Sequence, residues 1–139
     1  MQFEYISFIS ATNDKVWAYF EKAQLFSLFQ VAPLQQFSFQ EGKGFSLGTN
    51  DTPVLKAEFK LIKKYKVIHL SLNYSGIEGD AMIVKIIFYP LGEMSSLSII
   101  IDDLKDDDSR LDVARNHWPG AISQLKTIIE TGESLPWPQ

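Results

Sequence analysis

The feature that most constrains this chain is a single apolar stripe near its C-terminal end. Leu111, Ala114, Trp118, Ile122, Leu125 and Ile129 recur at steps of three and four, the pattern of a long helix with one buried face. Gly132 stands where a left-handed residue closes a helix, and Pro136 follows it. Most of the chain between Leu34 and Asp102 runs at period two instead. One helix cannot bury its own stripe, and one sheet cannot leave its apolar face in water. The economical solution is a curved antiparallel sheet wrapped around the final helix, an α+β architecture. Pro119 interrupts the stripe by removing one backbone hydrogen bond and crowding the Arg115 carbonyl. Either the helix kinks there, or a short turn ends at Trp118 and the main helix starts at Pro119.

The strands follow from alternation. Phe37 and Phe39 alternate with Gln36, Ser38 and Gln40, and Phe45 and Leu47 sit among Gly42, Gly44 and Gly48 as a hairpin and short strand. Leu55, Ala57, Phe59 and Leu61 alternate with charged residues, as do Ile68, Leu70, Leu72 and Tyr74 with polar ones. Two more strands are expected over Ala81–Tyr89 and Ser96–Asp102, joined around Gly92. Short, turn-rich links such as Asn50-Asp51-Thr52-Pro53 and Gly76 to Asp80 require antiparallel neighbours. Ahead of them, Phe3 to Ser10 reads as a first strand. Thr12 is placed to cap a helix over Asn13–Glu21 that carries Val16, Trp17 and Phe20 on one side. A second short helix is expected over Ala23–Phe29, before Pro33. With the first strand the sheet has about seven strands, and the 139 residues form one domain, 1–139.

Composition narrows the functional classes. A formal net charge of -4 argues against nucleic acid, which needs clustered Lys and Arg. Lys60, Lys63, Lys64 and Lys66 make the one basic stretch, read as the solvated end of a hairpin. Without cysteine there are no disulfides, thiolate metal sites or Cys nucleophiles. The N-terminus lacks the basic and apolar regions of a signal peptide, and no apolar run is long enough to span a bilayer as a helix, so a cytoplasmic protein is expected. Aromatic residues make up 13% of the chain, enough to build a large core or line an apolar cavity.

Catalytic signals are sparse. There is no Ser-His-Asp order, HExxH motif or phosphate-binding loop. His69 falls on the polar face of its strand. His117 precedes Trp118 and is placed at the edge of the helical stripe. Lys56 and Glu58 read as a surface pair. Asp102 and Asp103 end a strand, where one of them is a candidate for the mouth of a pocket. Asp106, Asp107 and Asp108 read as helix N-terminal carboxylates opposing the macrodipole rather than as metal ligands. No catalytic residue, metal site or cofactor is expected, and the chain reads more readily as a binding protein than as an enzyme.

Two segments resemble a known family. Ser10-Ala11-Thr12-Asn13-Asp14-Lys15-Val16-Trp17 is similar to the first-helix entry of the activator of Hsp90 ATPase homologue 1-like (AHSA1-like) branch of the START/Bet v 1-like superfamily. His117-Trp118-Pro119-Gly120-Ala121-Ile122, continuing through Leu125 to Gly132, resembles that family's C-terminal helix, although the family usually has Gly where this chain has His117. Phe29 stands near the second helix where the family often has Trp, Gly42-Lys43-Gly44-Phe45 replaces a Gly-Gly-Phe-like hairpin, and the segment from Phe45 to Val54 is short for the group.

The resemblance implies the helix-grip fold, with a cavity between sheet and last helix that relatives use for lipids, sterols, polyketides or other apolar molecules. Some relatives act instead on the Hsp90 chaperone. Alternation nominates the walls of such a cavity: Phe37, Phe39, Phe59, Leu72, Tyr74 and Phe88 from the sheet, Trp17 from the first helix, Trp118 and Ile122 from the last. The bland alternative is that they simply form the core. Tyr74 is the nominee with a polar group, whose hydroxyl either faces a ligand or reaches solvent. The leading expectation is a protein that binds a hydrophobic small molecule or lipid. An interaction module, Hsp90-cochaperone-like or homodimeric, is the alternative that aromatic residues exposed on the outer sheet would favour. A cyclase or hydrolase would require a buried polar pair facing the cavity.

Overall fold

The computed structural model describes residues 2–102, 104 and 108–135. β1 (Phe3–Ile9) leads into α1 (Asn13–Glu21) and the single turn α2 (Ala23–Phe26), which tightens into a 3-10 turn over Ser27–Phe29. The second helix is therefore shorter than its apolar pattern predicts. β2 (Leu34–Phe37), β3 (Gly44–Gly48), β4 (Pro53–Lys63), β5 (Val67–Tyr74), β6 (Met82–Leu91) and β7 (Met94–Ile101) precede α3 (Ser109–Thr131). The strands form one seven-stranded sheet in the order β1-β7-β6-β5-β4-β3-β2, with every pair antiparallel.

Register explains how the apolar face is built. Tyr5, Ile99, Ile86, Ile68 and Ile62 lie in one row across the sheet, and Phe3, Ile101, Val84, Leu70 and Phe59 in the next. These residues are turned to the inner face, and those of the central strands are buried. Each large apolar side chain fully withdrawn from water contributes roughly 1.5–3 kcal/mol.

One part of the alternation changes phase. A register shift between Phe59 and Leu61 leaves Lys60 unopposed, so Leu61 pairs with His69 while Ile62 takes the inner position opposite Ile68. An extra residue in one strand moves every later side chain to the other face. Leu61, expected to point inward, is consequently on the outer side. β2 also ends at Phe37, so Phe39 reaches the core from the following loop.

α3 runs through Pro119 as one continuous helix of 23 residues, with no restart after Trp118. All six stripe residues are buried, and His117, Ala121 and Gln124 widen the buried face. Asp108 caps the helix by accepting from the Arg110 amide at 2.9 Å. Asp103, Asp106, Asp107 and Pro136 lie outside the described residues. Gly132 closes the other end at φ +80°, its N–H donating to the Ile128 carbonyl at 2.8 Å. Two contacts tie the last turns to the end of β1. Lys126 Nζ donates to the Phe8 carbonyl at 2.5 Å, and Glu130 Oε2 accepts from the Ser10 amide at 2.8 Å. Thr12 takes the N-cap position of α1, but its side chain makes no capping bond; its carbonyl accepts from the Lys15 and Val16 amides.

Candidate functional site

The inner face carries one buried polar group of unusual composition. Tyr74 is the last residue of β5, where the inner row passes to Leu55 and Leu47. His117 and Trp118 project from the middle of α3. The Tyr74 hydroxyl lies 2.7 Å from His117 Nδ1, and the two rings meet edge to face. The His117 and Trp118 rings lie side by side, with centroids 4.7 Å apart. All three residues are buried, at 6%, 7% and 4% exposure respectively. His117 is thus inside the stripe rather than at its edge.

Burial sets the protonation of this group. It holds the His117 imidazole down at about 4, so the ring is neutral at neutral pH. It raises the Tyr74 phenol, against a hydrogen bond from the Trp118 indole that lowers it. Even so, His117 Nε2 is buried without a hydrogen-bond partner. Buried polar atoms are nearly always paired, and an orphan costs about 1–3 kcal/mol. Gln124, the other buried polar side chain of α3, shows the usual solution. Its amide is paired at both ends with the Leu135 backbone, donating to the carbonyl at 2.8 Å and accepting from the N–H.

The other nominated wall residues fall into a second region. Trp17 packs edge to face on Phe88 and Phe39, with centroid separations of 4.8 and 5.7 Å. Phe39 continues to Phe59 and Phe37. Phe20, Phe26, Phe29 and Phe45 extend the same array of rings. The array fills the space between α1, α2 and the sheet. Leu72 and Ile122 are fully buried core residues. Five nominees, Trp17, Phe37, Phe39, Phe59 and Phe88, therefore come together as packed rings, while Tyr74 and Trp118 meet at the polar group. His117 was absent from the nominated set. The signal that finds it is its position three residues after Ala114 and four before Ala121, within the apolar arc.

No protein-family model matches the chain, and no curated protein matches it in sequence. Solved structures do match. The Aha1 dimer from Colwellia psychrerythraea superposes with a TM-score of 0.82 at 9% identity, covering 96% of this chain and 99% of that one. A protein from Mesorhizobium loti gives 0.80 at 17% identity over 96% and 99% of the two chains. An HSP90 activator from Plasmodium falciparum gives 0.77 at 18% identity over 93% and 96%. The fold is the helix-grip fold. These structures accord, at the level of fold, with the resemblance carried by Ser10–Trp17 and His117–Gly132.

In this helix-grip chain the gripped helix is α3. Clefts open on the described residues along β2–β4 and beside β6 and Arg110, and their linings do not include Tyr74, His117, Trp118 or Ile122. One of about 300 Å³ reaches Leu55, the strand partner of Tyr74, together with Leu47 and Ser75. Asp102 pairs with Lys85 at 3.6 Å. Glu58 pairs with Lys60 at 2.7 Å rather than with Lys56, and the predicted lysines of the β4–β5 hairpin are exposed. Among the described residues no group of His, Asp and Glu is arranged to hold a metal, and no helix is long and apolar enough to cross a membrane.

Part of the outer face of the helix-grip sheet, across β1, β7 and β6, exposes apolar side chains between serines. Phe8 and Tyr89, 55% and 60% exposed, flank Ser96 in one row. Ile6 and Ile87 flank Ser98 in the next.

Proposed function

We propose that this protein binds a small, mainly apolar molecule between the sheet and α3, against Tyr74, His117, Trp118 and Ile122. The observation that carries the reading is a buried, unpartnered nitrogen on α3, His117 Nε2, beside the contact between Tyr74 and Trp118. Ligand sites are mostly apolar with a few convergent polar groups, and this group answers that description. It adjoins the exposed turn at Ser75 and Gly76, so little chain separates it from solvent. The test is native mass spectrometry of protein purified from its own host. A bound apolar molecule is expected, and it should be lost on Ile122→Trp, which puts a larger side chain where the molecule would meet α3. Protein that carries no such molecule and takes up no apolar dye overturns the reading.

A second reading is self-association through the outer face, favoured by the exposed Phe8 and Tyr89. Large exposed apolar side chains grouped on one face are a common mark of a protein contact. The Colwellia protein of the same fold is described as a dimer. Sedimentation equilibrium separates the outcomes. A dimer is expected for the native chain and a monomer after Phe8→Asp with Tyr89→Asp, whereas a native monomer rules this reading out.

A further inference from the structure

We infer that the end of the sheet where the β4–β5 and β6–β7 hairpins meet is a docking surface for an anionic lipid bilayer. The inference is independent of the pocket reading above, and it gives the adjoining outer face an occupant other than a second copy of the chain.

The strand ends define this surface. Val67 pairs with Ile87, and the Phe88 amide donates to the Lys66 carbonyl at 2.8 Å. Beyond that point β6 and β7 run on as a pair, with Tyr89, Pro90 and Leu91 opposite Ser96, Ser95 and Met94. Tyr89, Leu91 and Met94 are large exposed apolar side chains there. Lys63, Lys64 and Lys66 are exposed on the neighbouring β4–β5 turn. Against them stand Glu93, beside Met94, and the first turn of α1, where Asp14 and Lys15 offset each other. A chain of net charge -4 thus carries an end that is both cationic and apolar.

Tyr65 fixes the shape of the lysine-bearing turn. It is the one non-glycine among the described residues with a positive φ, +65°. A left-handed backbone is unfavourable for a residue with a side chain, and such strain persists only where the surroundings impose it. Asn13 Nδ2 donates to the Tyr65 carbonyl at 2.7 Å, and the Trp17 ring meets the Tyr65 ring edge to face. Lys64 Nζ lies 5.2 Å from the centre of the same ring. The core residue Trp17 therefore anchors the turn that displays the lysines.

The chemistry favours a bilayer over a protein partner. Tyr65, Tyr89, Leu91 and Met94 line none of the clefts described above; they are exposed side chains at hairpin ends, suited to entering a fluid interface. Tyrosine is favoured at the headgroup level, and lysine stems lie along apolar surface while their ammonium groups stay in water. The cations of this end are all lysine, which serves diffuse attraction to anionic headgroups. Both arginines, the residue type of bidentate protein contacts, lie on α3 instead.

Co-sedimentation of the full chain with vesicles tests the inference. The native protein should bind phosphatidylcholine vesicles containing about 30% phosphatidylglycerol at least about tenfold more tightly than pure phosphatidylcholine. Each lysine near an anionic surface is worth about fivefold in affinity, so Lys63→Gln, Lys64→Gln and Lys66→Gln together should weaken binding on the order of a hundredfold. Tyr89→Ser with Leu91→Ser should weaken it about tenfold by removing apolar area. All five positions are exposed, so both variants should melt with the native chain. Equal binding to the two vesicle types, binding to neither, or undiminished binding by the lysine variant overturns the inference. A native dimer that stays in solution beside the anionic vesicles also overturns it and assigns the surface to a second copy.

Discussion

The Tyr74 hydroxyl and His117 Nδ1, 43 positions apart in sequence, meet at 2.7 Å and join the end of β5 to the middle of α3. The contact sits where sheet and gripped helix face each other, so it links the two parts that the fold must hold together.

Removing that hydroxyl should therefore do more than lose one hydrogen bond. Tyr74→Phe keeps the ring and its edge-to-face contact but leaves His117 Nδ1 buried without a partner. A loss of about 1–3 kcal/mol in unfolding free energy is expected from urea titration. A change under about 0.5 kcal/mol, the range of neutral surface substitutions, would show that the contact contributes nothing.

Acid should destabilise the protein through the same residue. Burial lowers His117 from 6.5 to about 4 in the folded state, while the unfolded chain keeps the ordinary value. Between those values the unfolded state binds a proton that the folded state does not, so stability rises with pH. As pH falls below about 6.5 the protein should lose roughly 1.4 kcal/mol per unit, on the order of 3 kcal/mol in all, levelling off below the folded value. Unfolding titrations at pH 7.5 and pH 5, run beside His117→Phe, isolate this contribution from the carboxylates. An equal pH response in both proteins would assign the acid sensitivity elsewhere.

Much of this architecture was legible because its signals are periodic. The stripe from Leu111 to Ile129 places α3, and alternation from Leu55 to Phe59 and from Ile68 to Tyr74 places β4 and β5 with their inner faces correct. The misreadings have local physical causes. The bulge at Lys60 changes the phase of β4, and its trace in the sequence is the adjacency of Leu61 and Ile62, which alternation alone cannot accommodate. His117 was passed over because a stripe defined by apolar residues excludes a histidine, even one three residues from Ala114. Tyr74 was nominated for its hydroxyl, but neither expected partner, ligand or solvent, named His117. Its partner lies on another element, and no local pattern connects the two.

Trp118 tests the stripe itself. The indole is 4% exposed and packs beside His117 in the centre of α3. Trp118→Ala should cost about 3–5 kcal/mol through lost contacts and the void left behind. Chemical denaturation gives the figure, and a variant within about 1 kcal/mol of the native chain would mean that the site collapses to refill the space.

Pro119 makes the opposite prediction. It sits inside a continuous helix, where its ring nitrogen cannot donate to the Arg115 carbonyl. Replacing an interior proline with alanine recovers roughly 3 kcal/mol of helix propensity, against about 0.4–1 kcal/mol from a freer unfolded chain. Pro119→Ala should therefore raise stability by about 2 kcal/mol, read as a higher denaturant midpoint at unchanged slope. A lower midpoint would show that the half-buried proline ring contributes more by packing than the missing bond costs.

Gly42 in the β2–β3 connection and Gly44 at the start of β3 provide a paired test of how closely the strands approach. A Cβ at Gly44 would stand 1.9 Å from the Ala57 carbonyl oxygen and 2.8 Å from its carbon, both backbone atoms that cannot swing aside. At Gly42 the same Cβ meets nothing within 4 Å, although φ is +84°. Gly42→Ala should cost about 1–2 kcal/mol, the penalty of a left-handed backbone for an L-residue. Gly44→Ala should cost clearly more, because β3 must separate from β4 and disturb the row that carries Phe45 and Ala57. Thermal melts of both variants decide the matter. Equal melting temperatures would mean that separating β3 from β4 at Gly44 costs no more than the left-handed backbone at Gly42.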